Sequence, residues 1–311
     1  MMLPAALLLL GAVIAVVAPR LLARGDWPDR EPVVALWVWQ CAVAAVLLCC
    51  ALSMTLSAAV AWQAVRGHVF GTAPQTVTDA YARPAGDPWA AATAVVLACG
   101  ALWSATMLVR EIVRAGAERR RRRLELLVRA PLLPGEEAEG ERLVVLEGER
   151  PGVWWLPGTT PRLVITTAAL RRLKGRQLDA VLAHEQGHAR ARHDWLLHCS
   201  AALAGGFPRI PVFAAFRDEM HRLVELAADD RASRRFGRRT TALALVELNE
   251  DRGVFGPCPA PHAHVPHRVH RLLAPRRRLT AGRRLRLTAV ASLVPVIPVL
   301  VAMFPGLWAL G

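Results

Sequence analysis

The chain has 311 residues, of which 54% are hydrophobic and 21% are charged. The hydrophobic share is too high for an ordinary soluble enzyme, and the charged share is too high for a bundle that lies wholly within a membrane. The charge is concentrated, because 34 of the 39 basic and 20 of the 25 acidic residues lie between Arg110 and Arg286. This pattern excludes a uniformly basic nucleic-acid coat protein and a disordered chain, since disorder goes with low hydrophobicity.

Four apolar stretches are candidates for membrane-spanning helices, which need about 20 residues. They cover residues 3–18, 33–60, 89–109 and 287–310. The first stretch has no basic residue before it and three arginines soon after it, which is the reverse of a cleaved signal peptide. We therefore interpret it as a retained span.

Arginine clusters predict the orientation of these spans. The block Arg119–Arg123 follows the third stretch, and Arg276–Arg278 with three further arginines precedes the fourth. By the positive-inside rule, residues 110–286 then face the cytoplasm and both termini lie outside the cell membrane. We interpret the clusters as anchors against the anionic headgroups of the lipid bilayer, and we expect no direct binding of nucleic acid.

The segment 110–286 is the region able to hold a polar active site. It begins with a charged helix predicted over 111–129. Three short runs rich in β-branched and aromatic residues then predict a small antiparallel sheet, over 142–146, 153–156 and 162–166. After Thr167 the apolar spacing becomes helical, with helices predicted over 177–193 and 216–236.

The first of these two helices contains an H-E-x-x-H pattern, from His184 to His188. Because positions i and i+4 share one face of a helix, both imidazoles can reach a single Zn²⁺ at about 2.1 Å. Glu185 lies beside them and can act on the attacking water without being a ligand. A five-residue pattern also occurs by chance, so this motif needs a third ligand to support a zinc site.

The second helix supplies candidates for that ligand. A catalytic zinc of this type takes three protein ligands and leaves its fourth position for water. Glu225 can complete a His, His, Glu set that holds one Zn²⁺ per chain, and Asp229, one turn later, can accept the free N–H of a ligating imidazole. A solvated acidic face is the alternative, but apolar neighbours such as Val224 and Leu226 argue against it.

These motifs resemble those of the membrane zinc metallopeptidases of the beta-lactam-sensor antirepressor family, a gluzincin group with H-E-x-x-H and E-x-x-x-D motifs. The resemblance covers about residues 89–310 and is carried by Ala183–His193, Val224–Asp230, Leu156–Gly158, Pro161–Ile165 and Pro266–Leu273. The paired motifs are shared with the heat-shock and CAAX-type membrane metallopeptidases.

The sequence departs from that family at two places. Many relatives carry Asp five residues after the second histidine, where this chain has His193. The antibiotic sensors also carry an external penicillin-binding domain after the fourth span, where this sequence ends, and we therefore do not expect antibiotic sensing.

The resemblance implies a mainly α membrane protein. Residues 1–109 would hold three transmembrane helices, residues 110–286 a cytoplasmic α+β zincin-like metallopeptidase domain inserted between spans 3 and 4, and residues 287–311 the fourth transmembrane helix. The implied function is zinc-dependent hydrolysis of a protein or peptide on the cytoplasmic side, with a winged-helix transcriptional repressor in a signalling pathway as the expected substrate. A quality-control peptidase of the heat-shock type and a non-catalytic zinc-binding scaffold are the alternatives.

Several weaker candidates surround this chemistry. Tyr81, the single tyrosine, lies in the predicted external loop, so the candidates for oxyanion or substrate contacts are Arg268, His264 and His267. We interpret His193, His198 and His221 as surface or packing residues.

Two segments are predicted to bring substrate and membrane close to the site. The strand at 162–166 is predicted to pair with an extended substrate, as an exposed sheet edge can. The apolar run 195–216 is interrupted by Gly and Pro, so we expect it to dip into the inner leaflet rather than to span the membrane.

Overall fold

The computed structural model describes residues 2–66, 88–129, 142–149, 151–156, 162–249, 264–275 and 278–310. These residues form a mainly helical structure with one small sheet. The helices are α1 (Met2–Leu22), α2 (Trp27–Arg30), α3 (Pro32–Arg66), α4 (Pro88–Arg129), α5 (Thr167–Arg172), α6 (Arg176–Arg190), α7 (His193–Gly206), α8 (Pro211–Phe236), α9 (Arg238–Asn249), α10 (His264–Leu273), α11 (Ala281–Leu293) and α12 (Val296–Leu310). The strands are β1 (Arg142–Leu146), β2 (Val153–Leu156) and β3 (Arg162–Thr166).

The three predicted strands form a mixed sheet in the order β1-β3-β2. β2 pairs antiparallel with β3, whereas β1 pairs parallel with it, so the prediction of an antiparallel sheet is wrong for β1. The parallel pairing buries Val144 and Leu146 beside Val164 on one face. Because β3 is the central strand, it has no free edge, and the prediction that residues 162–166 pair with substrate is also wrong.

The other face of the sheet packs against α5, α6 and α9. Val153 and Ile165 share a buried cluster with Val181 of α6 and Leu248 of α9. At the end of β3, the Thr166 hydroxyl accepts a hydrogen bond from the N–H of Ala169 at 3.2 Å and so caps the start of α5. The sheet and α6 therefore form one packed unit, which fixes β2 beside the H-E-x-x-H helix.

Two helices among the described residues are long and apolar enough to cross a membrane, at Leu3–Leu22 and Pro32–Ser57. The pair Ala281–Leu293 and Val296–Trp308, bent by 43°, would make a third span if it crosses as one unit. These segments correspond to the first, second and fourth predicted stretches. The third stretch, 89–109, lies in α4, which continues without a break to Arg129, and as a span it stays a prediction.

Helix α8 packs directly against the two N-terminal apolar helices. Val212, Phe213 and Phe216 share a buried cluster with residues of α1 and α3. The rings of Phe216 and Trp39 lie 6.4 Å apart between centroids. Packing at this contact joins the predicted membrane region to the helix that carries Glu225.

The apolar run 195–216 forms α7, the short connection at Phe207–Ile210 and the first turns of α8. The end of α7 lies against α4, where the indole N–H of Trp103 donates to the main-chain oxygen of Gly206 at 3.1 Å. The run is therefore a helical hairpin between other helices rather than one continuous helix, as its Gly and Pro residues predict.

Two predicted helix boundaries differ from the structure. The helix predicted over 177–193 ends at Arg190, because Arg192 adopts a left-handed conformation (φ 51°) and α7 begins at His193. The helix predicted from 216 begins at Pro211, where the fixed φ of proline suits the first turn. Tyr81 of the predicted external loop, and Arg276 and Arg277 of the predicted anchoring cluster, lie outside the described residues.

Candidate metal centre

The centre lies where α6 and α8 cross. His184 and His188, one turn apart on α6, place their Nε2 atoms 3.1 Å from each other. Glu225 of α8 faces both rings, with Oε2 at 3.6 Å from Nε2 of His184 and Oε1 at 3.4 Å from Nε2 of His188. One ligand atom from each of the three residues lies within 4.8 Å of the others, so the group could hold a metal ion.

The spacing of these atoms suits zinc. Four ligands at about 2.1 Å in a tetrahedron lie about 3.4 Å from one another, and the three separations of 3.1, 3.4 and 3.6 Å bracket that value. Two imidazole nitrogens and one carboxylate oxygen are also ligands that zinc prefers. The side chains of His188 and Glu225 stay 18% exposed, which leaves solvent access on their side of the site.

Two further charged residues hold this group in place. Nδ1 of His184, the nitrogen that points away from Glu225, lies 3.1 Å from Oδ1 of Asp229. Arg268 of α10 donates to both oxygens of Asp229, at 2.8 and 2.7 Å, and its Nη1 lies 2.8 Å from Oε2 of Glu225. The guanidinium therefore joins the two carboxylates of α8 and fixes the orientation of Glu225 toward the imidazoles.

Glu185 lies beside this group and is held by the sheet. Its Oε2 accepts a hydrogen bond from the main-chain N–H of Trp155 in β2 at 3.2 Å. The residue is 5% exposed, and burial raises the pKa of Glu185 to about 7, against the opposing charge of His184. A carboxyl group with a pKa near neutrality is suited to proton transfer.

The two imidazoles differ in their electrostatics. Burial by itself lowers the pKa of His184, but hydrogen bonds to Asp229 and Glu225 outweigh it and raise the pKa to about 9. At His188 burial dominates over the attraction of Glu225 and lowers the pKa to about 3. Since a metal ligand must be a neutral imidazole, binding of a cation would release the proton of His184.

Both carboxylates of α8 stay ionised. Burial works against the charged forms of Glu225 and Asp229, but the Arg268 guanidinium and the nearby imidazoles hold both pKa values well below their usual range. The same two carboxylates raise the pKa of Arg268 above its ordinary value in spite of its burial. The group therefore offers anionic oxygens to a cation without further deprotonation.

A comparison with known families identifies the chemistry. Residues 152–276 match the family model described as peptidase family M48. This chain is a zinc metallopeptidase, a hydrolase that uses Zn²⁺ as its cofactor. The matched segment contains the H-E-x-x-H helix, Glu225, Asp229 and Arg268, and the resemblance to the antirepressor family stays a prediction. No curated protein and no solved structure matches the chain.

The weaker sequence candidates lie at different distances from the centre. Arg268 reaches the centre, but its guanidinium is held by Glu225 and Asp229. His267 instead contacts Asp29, with Nε2 and Oδ2 3.0 Å apart. His264 begins α10, and its side chain is not among those described. His198 contacts the main-chain oxygen of Asp194, and His221 is half-buried on α8.

The sequence analysis missed the position of His193. We interpreted it as a surface or packing residue. It is buried, at 4% exposed, and its Nδ1 also lies 3.0 Å from Nδ1 of His188, a contact that the sequence did not indicate. Burial lowers the pKa of His193 to about 4. The signal that could have found it is its place in the sequence, five residues after His188 and just past the end of the H-E-x-x-H helix.

Proposed function

We propose that this protein is an integral-membrane zinc endopeptidase that cuts a protein substrate at the cytoplasmic surface of the membrane. The observation that carries the proposal is the cluster of His184, His188 and Glu225, whose ligand atoms lie within 4.8 Å of one another next to a buried Glu185. When bound there, zinc would polarise the scissile carbonyl and acidify water.

In this proposal the metal ligands, the general base and the positioning residues are all side chains of this chain. His184, His188 and Glu225 hold the metal, and Asp229 orients His184 through its Nδ1 atom. Glu185 accepts the proton of the attacking water and passes it to the leaving amine, a role that its pKa of about 7 supports. Arg268 keeps Glu225 and Asp229 charged and aligned, and this use of its guanidinium argues against a role as oxyanion donor.

An extended substrate would pair with β2. Among the described strands, β2 has β3 on one side only, and the N–H of Trp155 points away from β3 toward Glu185. A peptide that adds to this edge would lie directly beside the proposed base, since strand addition aligns a backbone along a sheet edge.

The proposed orientation has support from α2, the turn between the first two apolar helices. Its Asp29 binds Arg222 of α8 and His267 of α10, so this turn lies on the same side as the metal centre. Arg20, Arg24 and Arg30 flank the same turn, and arginines favour the cytoplasmic side. We therefore assign residues 110–286 to the cytoplasm in a four-span chain with both termini outside.

A winged-helix transcriptional repressor is the substrate that we favour, on the resemblance to the antirepressor family. Co-expression of the full chain with such a repressor, followed by immunoblotting, tests this choice. An intact repressor beside general proteolytic activity would favour the quality-control alternative instead.

The activity itself is tested with the full chain purified in detergent, with fluorescein-labelled casein as the probe. We expect zinc-dependent cleavage by the native protein and none by Glu185→Gln, although both should contain about one zinc per chain by atomic absorption. Cleavage by Glu185→Gln at the native rate would exclude Glu185 as the base. Bound zinc without cleavage of casein or of the repressor would favour the non-catalytic scaffold.

A further inference from the structure

Each ligand imidazole of the proposed metal centre has a second nitrogen with its own partner. In both rings Nε2 faces Glu225. Nδ1 of His184 meets a carboxylate, since it lies 3.1 Å from Asp229, whereas Nδ1 of His188 meets another imidazole, at 3.0 Å from Nδ1 of His193. Each proposed ligand therefore has a polar partner at its Nδ1 atom, a carboxylate for His184 and an imidazole for His188.

The contact between His188 and His193 determines which nitrogen of each neutral ring carries the hydrogen. If Nε2 of His188 offers its lone pair to a cation, its hydrogen must be on Nδ1, which then donates. Nδ1 of His193 must therefore accept, and the hydrogen of that neutral ring is on Nε2. The two rings meet edge to face, with an interplanar angle of 84° and centroids 4.9 Å apart.

The backbone before His193 adopts an unfavourable conformation that places this side chain. Arg192 is the one non-glycine residue with positive φ in the described part of the chain, at 51°. A left-handed residue of this kind costs roughly 1–2 kcal/mol. Its conformation ends the connection after α6 and starts α7 at His193, so that this side chain turns back toward α6 and is buried against His188.

From these contacts we infer that His193 is a positioning residue that accepts the Nδ1 hydrogen of His188 and so orients that ring toward the cation. The inference rests on the proposed metal centre. It assigns to His193 a specific role besides packing, through the 3.0 Å contact between its Nδ1 and Nδ1 of His188.

The test is the zinc affinity of the full chain in detergent, measured by competition with a fluorescent zinc chelator. His193→Leu removes the acceptor, and we expect its dissociation constant for zinc to rise about 10- to 100-fold, as for other partners of metal-bound histidines. His193→Asn restores an acceptor oxygen and should stay within a few-fold of the native protein. His198→Leu, on the same helix but bonded to the main-chain oxygen of Asp194, is the matched control and should not change the affinity.

A second readout separates positioning from general stability. In the cobalt(II)-substituted protein, the visible absorption bands should shift in His193→Leu and remain in place in His193→Asn and His198→Leu. The metal-free variants should unfold at the same temperature as the metal-free native protein.

Native affinity and spectrum in His193→Leu would overturn the inference and leave the proposed function intact. If His193→Leu does not fold, an affinity loss of tenfold or more in a folded His193→Asn would overturn it equally. A native protein that binds no zinc would instead refute the metal centre itself.

Discussion

Arg268 is the single residue on which most of the charge balance at the metal centre depends. It is 5% exposed and contacts the carboxylates of both Glu225 and Asp229. Removal of one partner from a buried ion pair leaves the other charge uncompensated and costs about 3–5 kcal/mol. The guanidinium is therefore needed for stability before any substrate binds.

We predict that Arg268→Met lowers the thermal midpoint of the metal-free protein by several degrees, whereas Arg283→Met, an exposed arginine of α11, changes the stability by less than about 0.5 kcal/mol. Arg268→Lys should lie between them, because it keeps the charge and loses the paired hydrogen bonds. The measurement is thermal unfolding in detergent. An unchanged midpoint for Arg268→Met would contradict the assigned role.

At this scale the sequence predicts contacts within one helix better than contacts across a turn. The i, i+4 spacing indicated that His184 and His188 share a face, and the structure brings their Nε2 atoms to 3.1 Å. The approach of Glu225 was inferred from the need for a third ligand, and its apolar neighbours argued against a solvated acidic face. The contact of His193 was not predicted, because it depends on the left-handed conformation of Arg192, and no pattern of residue types specifies that conformation for an arginine.

Among the elements, α8 has the most varied surroundings. Its first half is buried against α1 and α3, and its second half carries Glu225 and Asp229 opposite α6. The distance along the chain between the contact with the apolar helices and the proposed ligand Glu225 is therefore fixed by one continuous helix of 26 residues.

Shortening a buried side chain in the first half of α8 should also disturb the candidate metal centre, because both lie on the same helix. Phe216 is 3% exposed, and we expect Phe216→Ala to cost about 3 kcal/mol and to reduce both zinc occupancy and casein cleavage, because the helix loses its contact with Trp39. Trp195, which is 51% exposed on α7, gives the matched control, and Trp195→Ala should cost less than about 1 kcal/mol. Equal losses in both variants, measured by thermal unfolding and zinc content, would show that burial of Phe216 does not position α8.

The existence of the elements was easier to predict than their arrangement. The β-branched and aromatic content located all three strands at their observed positions, but it gave no information on the parallel pairing of β1 with β3, which is a contact between segments 20 residues apart. The same limitation led us to expect a free edge at β3 rather than at β2. Strand order depends on which faces become buried together, and that is a property of the whole domain.

Across the whole molecule, the turn between the first two apolar helices is tied to the peptidase elements by a group of charges. The Asp29 carboxylate binds Arg222 of α8 and lies 3.0 Å from Nε2 of His267, and its main-chain oxygen accepts from Nε of Arg271 at 2.7 Å. Arg271 in turn binds Asp230 of α8 at 2.8 Å. Asp29 therefore joins α2 to two helices of the metal centre.

We predict that Asp29→Asn weakens this junction by about 2 kcal/mol, since the ion pair of the Asp29 carboxylate with Arg222 is lost. The expected result is a lower thermal midpoint and slower cleavage of casein, with the protein still recovered in the membrane fraction. Asp26→Asn is the control, because Asp26 is 79% exposed and pairs only weakly with Arg30 at 3.4 Å. If the two variants behave alike, the junction does not support the active structure.

The unbroken course of α8 has a consequence for how the surroundings of the protein act on its chemistry. Because α8 packs at one end against the two apolar N-terminal helices and carries the proposed ligand Glu225 near its middle, a tilt of those helices would displace the Glu225 carboxylate. Acyl chains of unequal length change helix tilt, so reconstitution in thin and thick vesicles should alter how tightly the protein retains its cation.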